Sequence, residues 1–123
     1  TGHLVFATLH TSGAAQAVDR IVDAFDSSAQ PLIRSRLSAC LIGVVYQRLL
    51  KLEPHGRIAA FEVLASNYGV KNLIREGKTH QIPNLMTTNR SDGMQTMEIA
   101  LKDLVEQGKI SASQLQDFLK QNQ

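Results

Sequence analysis

Thr1-Gly2-His3-Leu4-Val5-Phe6-Ala7-Thr8-Leu9-His10-Thr11 opens the chain, and its reading governs everything downstream. His3 to Thr8 is a short apolar run of the kind that forms a β-strand buried on both faces, as in the middle of a parallel sheet. Little sequence precedes it to supply neighbouring strands, so the chain is expected to be a fragment of a longer protein. His3 stands at the start of this strand and His10 just past its end, with Thr8 and Thr11 flanking His10. A polar cluster at the carboxyl end of a buried strand is where open α/β sheets place their ligands. An imidazole there can donate a hydrogen bond to a phosphate and report its presence. Spacing alone also admits histidines that are simply solvated or satisfied.

Working outward, Ala14, Val18, Ile21, Val22 and Phe25 recur at helical spacing and give one apolar face. Thr11 or Ser12 is placed to cap that helix. Pro31 suits the first turn of a second helix, whose apolar side is Ile33, Leu37, Cys40 and Leu41; Cys40 therefore reads as a small core residue. Val44–Leu52 and Arg57–Leu64, separated by Glu53-Pro54-His55-Gly56, predict a β-hairpin. The remainder is helical. Val70, Leu73 and Ile74 predict a short helix closed by Gly77, and Thr79–Thr88 another with Pro83 in its first turn. Met94, Met97, Leu101, Leu104 and Val105 predict a longer one ending near Gly108. Ser111 with Gln114 is a capping-box start for a last helix packed through Leu115, Phe118 and Leu119. The fold class is α/β: strand, two helices and hairpin over residues 1–66, then a helical subdomain of about four helices over residues 67–123.

Composition narrows the function classes. The chain has 123 residues, is 43% hydrophobic and 20% charged, and carries a net charge of +2. That balance is too small to imply nucleic acid, and no basic stripe with interleaved aromatics appears. A single cysteine, Cys40, permits no internal disulfide and fits a reducing compartment. No run approaches the ~18 apolar residues that span a bilayer, so the expectation is a cytoplasmic protein without membrane insertion. No metal is expected, because no Cys-x-x-Cys or His-Glu-x-x-His spacing occurs. Gly-x-Ser-x-Gly is absent, which argues against an independent hydrolase. Gly-x-x-x-x-Gly-Lys-Ser/Thr is absent as well. Without that loop the chain has no nest of backbone N–H groups and no lysine to cradle β- and γ-phosphates.

Two stretches resemble a known family. Residues 1–11 resemble the histidine box of the secretion-superfamily ATPases that drive type II secretion and type IV pili, over eleven consecutive positions with both histidines in place. Gly69-Val70-Lys71-Asn72-Leu73-Ile74-Arg75-Glu76-Gly77-Lys78 is similar to the Ala-Ile-Arg-Asn-Leu-Ile-Arg-Glu-Gly-Lys signature of the PilT-like twitching-motility (pilus retraction) ATPases, with seven of ten positions matching. Gly93-Met94-Gln95-Thr96-Met97 fits the helix start that follows in that family. Ser12-Gly13 stands where the family has Asn-Ser.

The resemblance implies the carboxy-terminal part of a RecA-like P-loop NTPase core, beginning past the Walker A loop and the Walker B strand. It implies ATP and Mg2+ in the intact protein, with neither expected on this piece alone, which should not hydrolyse ATP. It implies a homo-hexamer at the cytoplasmic face of the inner membrane, acting on the type IV pilus machinery. By carry-over, His10 faces the γ-phosphate, His3 supports the box, and Thr8 and Thr11 border the nucleotide. The segment Asn72, Leu73, Ile74, Arg75, Glu76, Gly77 and Lys78 serves retraction by transmitting or shaping subunit motion, without binding nucleotide itself. From physics alone, Leu73 and Ile74 read as helix core, Arg75 and Glu76 as solvated charges and Gly77 as a helix stop. Val45-Tyr46-Gln47-Arg48-Leu49-Leu50 looks equally like the assembly and secretion branch. A pilus-assembly or secretion ATPase therefore stays open here, as does a non-catalytic interaction module.

Overall fold

The structure, a computed structural model, describes residues 2–122. Thr1, the first position of the histidine-box match, and Gln123, the last of the helical subdomain, lie outside the described residues. The elements run α1 (Ala14–Asp23), α2 (Gln30–Cys40), β1 (Gly43–Lys51), β2 (Arg57–Ala65), α3 (Tyr68–Arg75), α4 (Ile82–Thr88), α5 (Met97–Glu106) and α6 (Ala112–Gln121). Short 3₁₀ turns at Thr79–Gln81 and Arg90–Asp92 lie between the later helices.

The strand expected from His3 to Thr8 is not formed. Residues 2–10 have no regular secondary structure and are exposed, with Val5 at 77% and Phe6 at 90%. The cause is non-local: a strand exists only through a ladder with neighbours, and β1 and β2 pair with each other in a sheet of two. The apolar alphabet of Leu4, Val5 and Phe6 is that of a buried strand, but among the described residues no strand pairs with it.

The hairpin forms where expected, antiparallel, with register Gly43↔Ala65 through Lys51↔Arg57. Alternation decides its faces. Val44, Tyr46, Arg48 and Leu50 face the helices together with Ile58, Ala60, Glu62 and Leu64, while Val45, Leu49 and Phe61 are exposed on the other side. Two apolar clusters form on the inward face. One gathers Ala14, Ala15 and Val18 of α1 with Leu64, Val70, Ile74, Ile82, Met86 and Met94. The other gathers Ala60 with Met97, Ala100, Leu101 and Ile110, against which Leu115 and Phe118 of α6 pack. Both clusters draw side chains from either side of residue 66.

Helix ends follow local chemistry. At the end of α3, Gly77 sits at φ +72, while Lys78 N–H donates to Leu73 O at 2.8 Å and Gly77 N–H to Ile74 O at 3.1 Å. That is the Schellman arrangement, and a residue without Cβ reaches it free of strain. Gly108 ends α5 in the same way. Pro83 falls in the first turn of α4, where its missing N–H costs nothing. Ser111 and Gln114 form the capping box of α6. Ser111→Ala should lower stability by about 1 kcal/mol, read as a fall in the urea midpoint; no change would mean that docking, through Gln114 Nε2 to Lys51 O, holds the helix start alone.

Three expectations are corrected. Cys40 is exposed, not core. The buried side of α2 is centred on Ser38, flanked by half-buried Leu37 and Leu41, and at 100° per residue Cys40 falls away from it. Phe25 lies beyond the end of α1 and is 45% exposed. Neither Thr11 nor Ser12 caps α1: Gly13 occupies the N-cap without a side-chain bond, and Thr11 Oγ1 donates to Gly13 O at 3.0 Å instead. No helix among the described residues is long and apolar enough to cross a membrane.

Candidate functional site

The turn that carries His10 leads directly into α1, whose tight first turn is built from Ala14, Ala15 and Ala17. Small side chains let this turn lie close under the hairpin. His10, Thr11 and Ser12 thereby face one side of α1 across an open cleft of about 320 Å³, completed by Gln16, Asp19, Arg20 and Asp23. The cleft is lined by polar and charged residues and carries both signs of charge. His10 is exposed in it, and Thr11 is half-buried. An exposed imidazole beside one guanidinium and two carboxylates can donate a hydrogen bond to an incoming anion without leaving a buried group unpaired.

Of the four residues expected at this site, the structure brings His10 and Thr11 together and leaves His3 and Thr8 apart. The latter two lie in the unpaired, exposed segment and do not line the cleft. Their separation has the same cause as the missing strand.

The second candidate segment, 69–78, forms α3 and its Gly77 stop. Asn67 caps α3 by accepting from Val70 N–H at 2.9 Å and also donates to Asn89 and Asp92. Within the segment Ile74 is buried; Asn72 and Leu73 are half-buried and line a groove of about 580 Å³ against α4. Arg75, Glu76, Gly77 and Lys78 are exposed. Arg75 donates to Asn72, and Lys78 pairs with Glu76 at 3.3 Å on the surface, a contact of little energetic weight. α2 covers the end of this helix: a Cβ built on Gly77 would stand 3.4 Å from Arg34 Nε, and a cation there suits the helix C-terminus.

The two segments are in touch. Thr79, the residue after Lys78, donates from Oγ1 to Asp19 Oδ1 at 2.6 Å, so the cleft helix α1 is tied to the end of the 69–78 segment. Glu62 supplies what Thr11 and Ser12 do not: its Oε1 accepts from Ala14 N–H at 2.9 Å, and its Oε2 accepts from Met97 N–H at 3.0 Å. Sequence reasoning missed Asp19, Thr79 and Glu62. Asp19 and Thr79 carry no local signal, since each is an ordinary polar residue on a helix or turn. Glu62 carries one: it interrupts the apolar alternation Ile58, Ala60, Leu64.

Comparison with known proteins finds relatives along most of the chain. The model of the type II/IV secretion system protein family matches residues 1–112. A twitching motility protein of Neisseria gonorrhoeae is 51% identical over 112 residues, which are 90% of this chain and 30% of that protein. The type IV pilus retraction ATPase PilT of Pseudomonas aeruginosa is 46% identical over 111 residues, 90% of this chain and 32% of its own length. The crystal structure of the pilus retraction motor PilT with bound ADP superposes with a TM-score of 0.83 at 42% identity, covering 95% of this chain and 32% of that one. The chain thus spans about a third of the length of the relatives it matches.

Proposed function

The chain belongs to the type II/IV secretion system protein family, and on that footing we propose that it forms the carboxy-terminal part of a hexameric ATPase motor for type IV pilus retraction. The observation that carries this reading is its likeness, over about nine-tenths of its length, to proteins named for twitching motility and pilus retraction.

In this reading His10 is the sensor. Its imidazole, exposed at the mouth of the cleft, donates a hydrogen bond to the γ-phosphate of ATP and loses that partner after hydrolysis. His3 supports the box from the other end of the segment, and Thr8 and Thr11 border the nucleotide once residues 3–8 are paired within a complete sheet. The β- and γ-phosphates are cradled by residues outside these 123, because no phosphate-binding loop occurs in the sequence. Mg2+ accompanies ATP, but among the described residues no three His, Cys, Asp or Glu side chains gather as a ligand set. No step is therefore assigned to the metal.

The Asp19–Thr79 hydrogen bond supports a mechanical role for residues 72–78: displacement of α1 on loss of the phosphate is passed to the end of α3. Residues 1–66 then belong to the nucleotide-facing core and residues 67–123 to the helical subdomain, which shares both apolar clusters with it. The motor works at the cytoplasmic face of the inner membrane, peripheral to it, on the pilus machinery.

The test is ATP turnover by the intact protein and, in parallel, by residues 1–123. Turnover by the intact protein alone is the expected result. Turnover by residues 1–123 would place the phosphate-binding groups within this chain and overturn the account. Absence of turnover from both would favour an interaction module.

A further inference from the structure

On the inward face of β2 the side chains run Ile58, Ala60, Glu62, Leu64, a carboxylate in an apolar row. Its position in that row matters. Leu64 belongs to the cluster under α1 and α3, and Ala60 to the cluster under α5, so Glu62 stands at the seam between them. Ala14 and Met97 are the first residues of α1 and α5. Their N–H groups have no partner within their own helices, and both lie at the positive end of a helix dipole. One carboxylate serves both, through Oε1 and Oε2 respectively.

A carboxylate engaged at both oxygens cannot follow one helix without pulling on the other. Its own mounting is firm: Val63, the next residue, exchanges two backbone hydrogen bonds with Gln95, at 2.9 and 3.0 Å, just before α5 begins. On the other side the bonded amide of Ala14 follows the turn that carries His10. The remaining caps are local by comparison. Asn67 bonds Val70 and Thr96 bonds Ile99, each three residues along its own helix.

We propose that Glu62 is a positioning residue whose carboxylate bridges the starts of α1 and α5, so that the His10 turn and the helical subdomain keep one relative geometry. The functional half rests on the reading of His10 as the phosphate sensor. A change at the His10 turn reaches α5 through Glu62, which holds the first residue of α1, and reaches the turn after α3 through Asp19, near the middle of α1, and Thr79. Displacing the imidazole by a fraction of an ångström affects the chemical step more than ATP capture.

Two substitutions separate the possibilities. Glu62→Ala removes both acceptors. Glu62→Gln keeps the shape but leaves one acceptor oxygen and turns an NH₂ group on the other helix start. Amide hydrogen exchange is followed in the full chain. Glu62→Ala should speed exchange at Ala14 and Met97 together by about tenfold or more, the scale of losing a charge-assisted hydrogen bond. Glu62→Gln should do so at one of the two, and Val70 and Ile99 should keep their rates in both variants. If Met97 or Ala14 keeps its protection in Glu62→Ala, the bridge is overturned; if Glu62→Ala fails to fold, the Glu62→Gln pattern decides alone.

In the intact protein Glu62→Gln should lower kcat for ATP by about tenfold or more, with KM within about twofold. A variant with an altered exchange pattern and unchanged kcat would reduce Glu62 to a structural cap and overturn its positioning role. An intact wild-type protein without ATP turnover would instead overturn the motor reading and the kinetic half of this proposal, while the exchange pattern still decides the bridge.

Discussion

His10→Ala in the intact protein should slow ATP turnover by about a hundredfold, the usual scale for removing one preorganised donor to a developing charge, while the melting temperature stays where it was. The second half of that expectation comes from the structure. His10 is exposed, lies on a turn without regular structure, and belongs to neither apolar cluster. Exposed side chains outside the core contribute about 0.5 kcal/mol or less to stability, so truncation leaves no cavity and no orphaned polar group. Activity and stability are thereby decoupled at this position, which is what makes the measurement informative. Unchanged turnover would remove His10 from the mechanism. A parallel fall in turnover and melting temperature would assign it a packing role that its exposure does not support.

The contrast with His3 sharpens the point. Both histidines were legible in the sequence as members of one box, yet only His10 reaches the cleft. Its position is fixed by α1, a local element whose periodicity of Ala14, Val18 and Val22 is self-sufficient. His3 depends on a strand, and a strand is a relation between distant segments rather than a property of six residues. The same distinction explains the rest of the comparison. Gly77, Gly108, Pro83 and the Ser111–Gln114 box were readable because each acts within a few residues of itself. The hairpin was readable because its two strands are joined by a short turn and share an alternation. Cys40 misled because Ile33, Leu37 and Leu41 define a stripe whose true centre, Ser38, is set by what α3 presents to α2. Glu62 went unnoticed because its partners are 48 and 35 residues away. A lone carboxylate in an apolar alternation is nonetheless a signal, since burying it without donors would be costly.

Within the 69–78 segment the largest stability effect belongs to Ile74. Its side chain is 1% exposed and packs in the cluster with Val70, Ile82, Met86 and Leu64. Ile74→Ala should cost about 2–5 kcal/mol, lost transfer energy plus the cavity left behind, and appear as a large fall in the urea midpoint with an unchanged slope. Arg75→Ala, one residue along, should shift stability by about 0.5 kcal/mol or less, because that side chain is exposed and its hydrogen bond to Asn72 stays on the surface. The pair divides the segment by role. A retraction defect from Ile74→Ala would report a loosened helix α3. The same defect from Arg75→Ala, with stability intact, would report a contact made by the exposed stretch Arg75 to Lys78 during subunit motion. Similar stability losses from both would mean that Arg75 holds the end of α3 on α2, and the segment would then act as one packed lever with no free face.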